Sequence, residues 1–471
     1  MKIVDLGIKG ITANSKEVKK NFLFVAIKGN RQDGNQFIKE AIARGAGIIA
    51  VERKTPQIKV PAKVIFLVVN DCRKFFAQTA HKFYGAPSNK IKVVGITGTN
   101  GKTTVSYLIE AISEESGNDC GVIGTINYRF KGSFTVAKNT TPGPGQLQGL
   151  LSKMHLQKVK YCAMEVSSHA LDQDRTAGIN FSCAIFTNLT QDHLDYHKNL
   201  ENYFLAKAKL FVTLAPSGWA IINNDDKYSR RIRRLTKARV LTYGIKKSSD
   251  VMAKGIKFGM LSTEFSLVAP NINIRIKTRL VGRYNIYNIL AAVSWGISEK
   301  IPLRDIKSAI ERFKNVPGRL QKVSGPGEFS IFIDYAHTPD ALFNVISALR
   351  PLVEGKIIVV FGCGGQRDKL KRPQMGKVVT ELADYAVVTS DNPRSENPAK
   401  IIQDICQGIQ KNNYCIVASR RQAIGKGISL LKQGDCLLIT GKGHENYQIL
   451  KNRVLQFNDG KVARECLKSM K

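Results

Sequence analysis

Residues 90–112 read KIKVVGITGTNGKTTVSYLIEAI, a run that predicts three successive elements. An apolar, β-branched segment is followed by a glycine-rich loop, and the loop is followed by a helical pattern. In that order the backbone N–H groups of the loop and the N-terminus of the helix can cradle phosphates. Lys102 would reach the β- and γ-phosphates, and Thr103 would hold Mg²⁺. The run therefore predicts a phosphate-binding loop at the carboxyl end of a strand.

The loop matches the pattern GxxGKT and not the full GxxxxGK[ST], because Ile96 stands where the longer pattern has glycine. The alternative is a glycine turn before an ordinary helix, which the Lys102-Thr103 pair and the flanking elements disfavour. A phosphate loop alone does not separate kinases, GTPases and ligases, because function lies in the site and not in the fold.

Strand and helix patterns alternate along the rest of the chain. FLFVAIK at 22–28 is typical of a short buried strand, and IKEAIARGAGIIAVE at 38–52 of a helix, a glycine stop and a strand. Such alternation implies mostly parallel sheets, whose ligands bind at the carboxyl ends of the strands. We therefore expect an α/β protein with boundaries in two turn-rich stretches, 85–88 and 315–318. The three expected domains are residues 1–88, 89–316 and 317–471.

The charge of the chain is unusual, with 72 Lys and Arg residues against 37 Asp and Glu residues, a formal net charge of +35. One interpretation is a nucleic-acid-binding protein steered by phosphate attraction. The cations, however, are spread over the whole length, the densest cluster at 230–234 is short, and no recognised nucleic-acid motif accompanies them. A basic surface facing anionic substrates, or a lysine-rich composition, explains the charge more simply.

The nine cysteines are odd in number, scattered and never spaced as CxxC, which argues against disulfides and zinc sites. They are expected to be reduced and mostly buried. The first residues carry neither an arginine-rich presequence nor an apolar signal core, and no stretch approaches the roughly 18 apolar residues of a membrane span. We therefore expect a cytoplasmic protein without a membrane partner.

Eight short motifs stand in an order and spacing that resemble the Mur ligase family over essentially the whole chain. They are TGTNGKTT at 97–104, NTTPG at 139–143, MEVSSHAL at 164–171, DHLDYH at 192–197, GRYNIYN at 282–288, PGRL at 317–320, DYAHTP at 334–339 and GKGHE at 441–445. The resemblance implies an N-terminal UDP-binding α/β domain, a central P-loop ATPase domain and a C-terminal Rossmann-like domain. It also implies ATP-dependent formation of an amide bond.

A ligase of this kind phosphorylates a carboxylate and lets an amine attack the acyl phosphate, so it needs cations and positioning more than a covalent nucleophile. The resemblance assigns catalysis to Lys102, Glu165, His193 and Lys207. It assigns Mg²⁺ to Thr103, Glu165 and His193, and it makes Lys207 a carbamylated lysine (N6-carboxylysine). Composition alone would make Lys207 a solvated helix lysine, as it would Lys209. His169 and His197 are expected to be hydrogen-bonded buried residues.

The resemblance also assigns the nucleotide and the UDP-linked substrate. The expected ATP contacts are Gly98, Thr99, Asn100, Gly101, Lys102, Thr103, Thr104, Asn285, Arg319 and Asp334. The residues expected to hold UDP-N-acetylmuramoyl-L-alanyl-D-glutamate are Ala13, Ser15, Asn30, Arg31, Gln32, Asn139, Thr140, Thr141, Ser167, Gln173 and Arg175. An arginine fork suits a carboxylate, because it can donate two parallel hydrogen bonds.

The choice of amino acid rests on DNPR at 391–394, which resembles the family's diaminopimelate signature. Meso-diaminopimelate carries a second carboxylate that lysine lacks, and Arg394 offers it a charged partner, while Glu445 can accept its distal ammonium. The residues expected in this pocket are Arg367, Asp391, Asn392, Pro393, Arg394, Gly441 and Glu445. Taken alone, DNPR is also typical of an Asn-Pro turn.

Three hypotheses remain open from the sequence. The leading one is addition of meso-diaminopimelate to the D-glutamate of the UDP-linked dipeptide, giving the tripeptide, ADP and phosphate in peptidoglycan precursor synthesis. The second is the same reaction with L-lysine or another diamino acid. The third is a nucleotide-binding protein with nucleic-acid or scaffold duties. The leading hypothesis predicts a monomer with ATP and Mg²⁺ as cofactors and no specific nucleic-acid partner.

Overall fold

The computed structural model of the protein describes residues 7–29, 32–52, 62–260, 262–323, 329–451 and 453–469. Its strands form three main sheets that follow one another along the chain, each flanked by helices. The predicted α/β architecture with mostly parallel sheets is confirmed. None of the helices in the described ranges combines the length and the apolar character that crossing a membrane requires.

The first sheet has four parallel strands in the order β1-β2-β3-β4. The predicted helix, glycine stop and strand at 38–52 are confirmed, because Gly45 takes a φ of +97° between the helix and the strand. The elements are β1 Gly10–Thr12, β2 Phe22–Val25, α1 Ile38–Ala43, β3 Ala46–Val51, β4 Ile65–Val68 and α2 Cys72–Phe83.

The second sheet has eleven strands in the order β15-β14-β13-β12-β11-β10-β5-β9-β6-β7-β8. Its elements are β5 Lys92–Thr97, α3 Lys102–Glu115, β6 Cys120–Ile123, β7 Asn127–Phe130, β8 Ser133–Val136, α4 Pro144–Leu156, β9 Tyr161–Glu165, α5 Ser168–Asp172, β10 Phe181–Phe186, α6 Leu194–His197, α7 Leu200–Val212, β11 Trp219–Asn223, α8 Ser229–Leu235, β12 Arg239–Gly244, β13 Val251–Phe258, β14 Thr263–Ala269, β15 Ile272–Thr278, α9 Arg283–Ser298 and α10 Leu303–Arg312. The strands from β12 to β6 are parallel, and antiparallel strands extend both edges.

The third sheet has six strands in the order β16-β17-β21-β18-β19-β20, and a separate hairpin, β22-β23, follows it. Its elements are β16 Gln321–Val323, β17 Ser330–Asp334, α11 Pro339–Leu349, β18 Ile357–Phe361, α12 Lys371–Leu382, β19 Tyr385–Val388, α13 Pro398–Cys406, β20 Tyr414–Ile416, α14 Arg420–Ser429, β21 Cys436–Thr440, β22 Tyr447–Leu450, β23 Arg453–Gln456 and α15 Asp459–Lys468.

The middle of the second sheet is buried on both faces, which explains its continuous apolar strands. Helices α3, α9 and α10 cover one face, and α4 and α7 cover the other. The nine cysteines are free thiols, and six of them are buried. In the parallel register of β5 and β9, Ile96 lies beside Glu165, so the loop after β5 and the carboxylate ending β9 meet at one edge.

Candidate active site

The loop from Gly98 to Gly101 turns so tightly that only glycine fits at both ends. Gly98 has a φ of +150°, and a Cβ there would lie 1.9 Å from Oγ1 of Thr187. Gly101 has a φ of +90°, and its Cβ would lie 2.3 Å from Oδ1 of Asn288. The chain thus turns directly from β5 into α3, and the N-terminus of α3 faces the loop as a phosphate site requires.

Two lysines converge on one carbonyl oxygen of this loop. The Nζ of Lys102 donates to the carbonyl of Gly98 at 2.8 Å, and the Nζ of Lys207 donates to the same oxygen at 2.9 Å. Lys207 is only 2% exposed, so the solvated-lysine interpretation is wrong for it, whereas the side chain of Lys209 is 46% exposed. Burial lowers the pKa of Lys207 well below its ordinary value, and the charge of Lys102 lowers it further.

Glu165, the last residue of β9, is a buried carboxylate that accepts hydrogen bonds from Thr103 in α3 and from Thr125. Its Oε2 accepts hydrogen bonds from Oγ1 of Thr103 at 3.0 Å and from Oγ1 of Thr125 at 2.9 Å, and its Oε1 accepts the N–H of Thr125 at 2.9 Å. These hard oxygens suit Mg²⁺. A magnesium ion held by Thr103 and Glu165 would take further oxygen ligands from phosphate and water.

His193 directly precedes α6 and has a φ of +55°, a strained value for a residue other than glycine. Its Nε2 lies 3.5 Å from Oδ2 of Asp192, and its ring is 4.8 Å from that of His169. Burial lowers the pKa of His193, although Asp192 acts in the opposite direction. A neutral imidazole is able to accept a proton or a metal. His197 is 4% exposed and 2.9 Å from Oγ of Ser168, which agrees with its expected buried, hydrogen-bonded role.

Arg319, which precedes the third sheet, contacts the helix that follows the phosphate loop. Its Nη2 lies 3.3 Å from Oγ1 of Thr103, and its guanidinium lies 4.6 Å from the ring centre of Tyr335. Asp334 is 8% exposed and accepts the N–H groups of Leu320 and Ala336, so it holds the turn that carries Arg319. Burial raises the pKa of Asp334.

A cavity of about 350 Å³ borders the phosphate loop, Arg319 and Asp334. Asn285 does not line it, because its side chain bonds the carbonyl of Val281 at 2.8 Å, whereas Asn288 one turn later does. Asp340 also lines the cavity, and its Oδ2 accepts Nδ2 of Asn100 at 2.8 Å. Sequence reasoning missed Asn288 and Asp340, because helical spacing alone does not say which face meets a cavity.

The residues expected at the muramoyl-dipeptide lie together beside Glu165. Arg175 donates from Nε and Nη2 to Oε1 of Gln173, and from Nη1 to the carbonyl of Thr141 at 3.0 Å. Thr141 is fully buried and bonds the carbonyl of Glu165. The remaining members are Asn139 and Thr140, which line the second cavity described below, and Ser167, which caps α5.

The expected uridine segment lies in the first sheet's region. Ser15 is 6% exposed and donates its hydroxyl to Oε2 of Glu40 at 2.7 Å, while Ala13 is half-buried and Gln32 is exposed. Asn30 and Arg31 lie outside the described residues. The structure thus places Ser15 as a buried contact of α1.

A second cavity, of about 300 Å³, lies between the second and third sheets and shares Tyr335 and His337 with the first. Arg367 and Arg394 line it. Burial is the main cause that lowers the pKa of Arg394, and the charge of Arg367 lowers it further. Arg394 has a φ of +55° and donates from Nη1 to the carbonyl of Gly365 at 2.7 Å. Two neighbouring guanidinium groups in one cavity favour a carboxylate between them.

Glu445 lies at the wall of this cavity in a network that the sequence did not reveal. Lys442 is fully buried behind the wall, and its Nζ donates to Oε2 of Glu445 at 3.0 Å and to Oδ1 of Asn392 at 3.1 Å. Nδ2 of Asn392 donates to the same Oε2 at 2.7 Å. Burial raises the pKa of Glu445, whereas Lys442 lowers it.

The backbone around this network is closely packed. A Cβ on Gly441, whose φ is +106°, would lie 2.5 Å from Oδ2 of Asp391. Asp391 lies 3.9 Å from Nη1 of Arg420, which forms a fully buried ion pair with Asp459. Six of the seven predicted pocket residues line the cavity together with Tyr447 of the hairpin β22-β23, and the exception is Pro393, which follows Asn392 in the same loop.

Three family models match successive parts of the chain. The model described as Mur ligase family, catalytic domain, matches residues 7–84, the Mur ligase middle domain matches 96–296, and the Mur ligase, glutamate ligase domain, matches 318–443. The protein belongs to the Mur ligase family and is a ligase.

Relatives of near-equal length narrow the comparison. The chain is 41% identical over 465 residues to a UDP-N-acetylmuramoyl-L-alanyl-D-glutamate–2,6-diaminopimelate ligase of Clostridium botulinum, covering 98% of this chain and 96% of that protein. It is 44% identical over 461 residues to the ligase of the same name from Aquifex aeolicus, covering 98% and 94%. A solved structure of a ligase of this name superposes with a TM-score of 0.70 at 30% identity, covering 98% and 95%.

Proposed function

We propose that this protein adds meso-diaminopimelate to the D-glutamate of UDP-N-acetylmuramoyl-L-alanyl-D-glutamate with ATP, giving the UDP-linked tripeptide, ADP and phosphate. The observation that carries the proposal is that the cavity at the phosphate loop and the cavity with the two arginines meet at Tyr335 and His337. A phosphoryl group delivered from one side can therefore meet an amine delivered from the other.

The first step places negative charge beside Lys102 and Arg319. The side-chain carboxylate of D-glutamate attacks the γ-phosphorus of ATP, the bond to the β-phosphate oxygen breaks, and ADP leaves with that electron pair. Lys102 and Arg319 would stabilise the oxygens that gain charge, and the loop N–H groups would hold the β-phosphate. Mg²⁺, when bound at Thr103 and Glu165, supplies further charge neutralisation.

The second step joins the amine to the acyl carbon. The amine nitrogen attacks the carbonyl carbon, the resulting tetrahedral intermediate expels phosphate, and the nitrogen loses its proton. The proximity of the two cavities would hold the amine and the acyl phosphate in reach of each other. Arg319, packed on Tyr335 between them, helps exclude water that would otherwise hydrolyse the acyl phosphate.

Lys207 is proposed to react with carbon dioxide. A neutral amine is required, and the burial of Lys207 and its shared carbonyl with Lys102 favour that form. The nitrogen lone pair attacks carbon dioxide and the nitrogen releases a proton, which gives a carbamate anion. The carbamate forms an ion pair with Lys102, and its oxygens become available for Mg²⁺.

Selectivity is proposed to come from the distal end of the diamino acid. Arg394 and Arg367 would bind its second carboxylate, and Glu445 would accept its distal ammonium. Lysine would leave the two guanidinium groups facing each other without an anion. The alternative, a ligase that uses lysine, is disfavoured for that reason.

Several further assignments belong to the same proposal. We propose that the three domains are residues 1–88, 89–316 and 317–471, that the enzyme acts as a monomer in the cytoplasm, and that His193 lies near a second Mg²⁺. The uridine and dipeptide contacts named above remain part of the proposal, with Ser15 and Thr141 acting through the packing of their neighbours.

The test is ADP release with each reactant omitted in turn. ADP should appear only when ATP, the UDP-linked dipeptide and meso-diaminopimelate are all present. Lys102→Ala should abolish turnover and still bind the UDP-linked dipeptide in calorimetry, because the uridine segment lies on another sheet. Turnover in Lys102→Ala, or full turnover without the dipeptide, would contradict the proposal.

A further inference from the structure

Lys371 is the first residue of α12 and has no place in the reaction described so far. It is 7% exposed and lines the cavity between the second and third sheets. Among the described residues, no hydrogen-bond acceptor and no carboxylate lies in bonding range of its ammonium group. The neighbouring Arg372 shows the contrast, because it is also buried but binds Glu396 at 2.9 Å and Asp404 at 2.8 Å.

The position of Lys371 is unfavourable for folding. An unpaired charge that is removed from water costs stability. The N-terminus of a helix carries partial positive charge, so a cation there is repelled. The first turn of α12 adds few donors, because the N–H of Arg372 already donates to the carbonyl of Lys369 at 3.0 Å and Pro373 has no N–H. The ammonium group of Lys371 is therefore the main donor at this end of the helix. A buried, unpaired ammonium group that costs stability is typical of a binding site for an anion.

The surroundings of Lys371 place that anion at the end of its cavity that adjoins the cavity of the phosphate loop. Lys371 lines the same cavity as Asp192, His193 and His337. His337 also lines the cavity at the phosphate loop. Lys371 is therefore close to the point where the two cavities meet.

We propose that the Lys371 ammonium binds the transferred phosphoryl group while the acyl phosphate forms and breaks down. This inference rests on the proposed ligase reaction and adds a residue from the third sheet's region to its catalytic groups. Lys102 and Arg319 would hold the phosphoryl oxygens on the nucleotide side, and Lys371 on the acceptor side. In the second step Lys371 would stabilise the phosphate that leaves.

The test compares three variants by steady-state kinetics and thermal melting. Lys371→Met should lower kcat by about a hundredfold, because a preorganised donor to the transition state is lost. Its KM for meso-diaminopimelate should change less than about threefold, since uniform binding is unaffected. Its melting temperature should stay level or rise, because an unpaired buried charge disappears. Lys371→Arg should recover at least about tenfold of the lost kcat, as it keeps a charge that binds phosphate.

The matched control is Lys369→Met, which removes an exposed lysine two positions earlier and should match the wild type. A raised KM for meso-diaminopimelate with an unchanged kcat in Lys371→Met would overturn the proposal and assign Lys371 to the amino-acid carboxylate. Unchanged kcat and KM in Lys371→Met would also overturn the proposal, and would leave Lys371 with an electrostatic interaction with Asp192 as its only role. A wild-type enzyme without ligase activity would instead refute the proposed function, which separates the two failures.

Discussion

Lys207 and Lys209 lie two positions apart on α7, and nothing in their local sequence distinguishes their fates. The helix turns Lys207 inward to the phosphate loop and Lys209 outward toward Asp172. The difference arises from the packing of α7 against β5, which involves residues about a hundred positions apart. Only the resemblance to the family could select Lys207 from the sequence, and the structure adds the physical reason, a buried ammonium beside a second one.

At this residue we expect Lys207→Ala to be nearly inactive and to recover partly when a small carboxylic acid is added. The carboxylate would occupy the space and the charge of the carbamate. Lys207→Arg should not recover, because the guanidinium fills the space and keeps its positive charge. ADP release with and without added acetate measures both effects. Lys209→Ala is the control, and an unaltered rate in Lys207→Ala would refute the carbamate.

Among the elements, the phosphate loop was predictable and the Lys442 network was not. The order of strand, loop and helix at 92–115 is local, so pattern and spacing predict it. The network joins DNPR at 391–394 to the turn at 441–445, two loops that meet only because β19 and β21 lie in the same sheet. Sequence reasoning placed Glu445 in the pocket, and missed the buried lysine three positions earlier that orients it.

For this element we expect Lys442→Met to raise the KM for meso-diaminopimelate roughly tenfold to a hundredfold, because Glu445 and Asn392 lose a charged donor. The effect should grow as the pH falls from 8 to 6. Burial raises the pKa of Glu445, and the positive charge of Lys442 lowers it. Without that charge the pKa of Glu445 would rise further, so Glu445 would take up a proton and lose its attraction for the ammonium.

The measurement is KM as a function of pH for the wild type and Lys442→Met. The exposed Lys451, which lies in the turn of the hairpin and contacts Arg394 through its backbone N–H, provides the control Lys451→Met. A KM in Lys442→Met that is raised equally at every pH would show a loss of packing only, and would refute the role of Lys442 in keeping Glu445 charged.

For the whole molecule, the alternation of strand and helix patterns along the chain predicted three α/β regions. The described residues form three main sheets in that order, besides the hairpin β22-β23. The antiparallel strands β13 to β15, and the hairpin β7-β8, were not foreseen, because short alternating strands do not reveal which sheet they will extend. The meeting of the two cavities at Tyr335 and His337 was also beyond the sequence, since it depends on how separate sheets pack together.

At the same scale, the net charge of +35 predicts weak, non-specific attraction to polyanions. The exposed arginines of α8 lie apart from both cavities. Binding to duplex DNA in a fluorescence titration should therefore weaken steeply with salt and be lost near about 0.2 M. Sequence-selective binding that persists at that ionic strength would revive a nucleic-acid role.

We propose above that the cavity between the second and third sheets selects meso-diaminopimelate by its distal carboxylate. A site built to pair a charged group rejects analogues that lack it, because its own polar groups remain buried and unpaired. The direct measurement is kcat/KM with meso-diaminopimelate and with L-lysine, for the wild type and Arg394→Ala. We expect the wild type to favour meso-diaminopimelate by at least about a thousandfold, and Arg394→Ala to lose most of that activity and narrow the gap. Equal use of lysine and meso-diaminopimelate by the wild type would contradict the account.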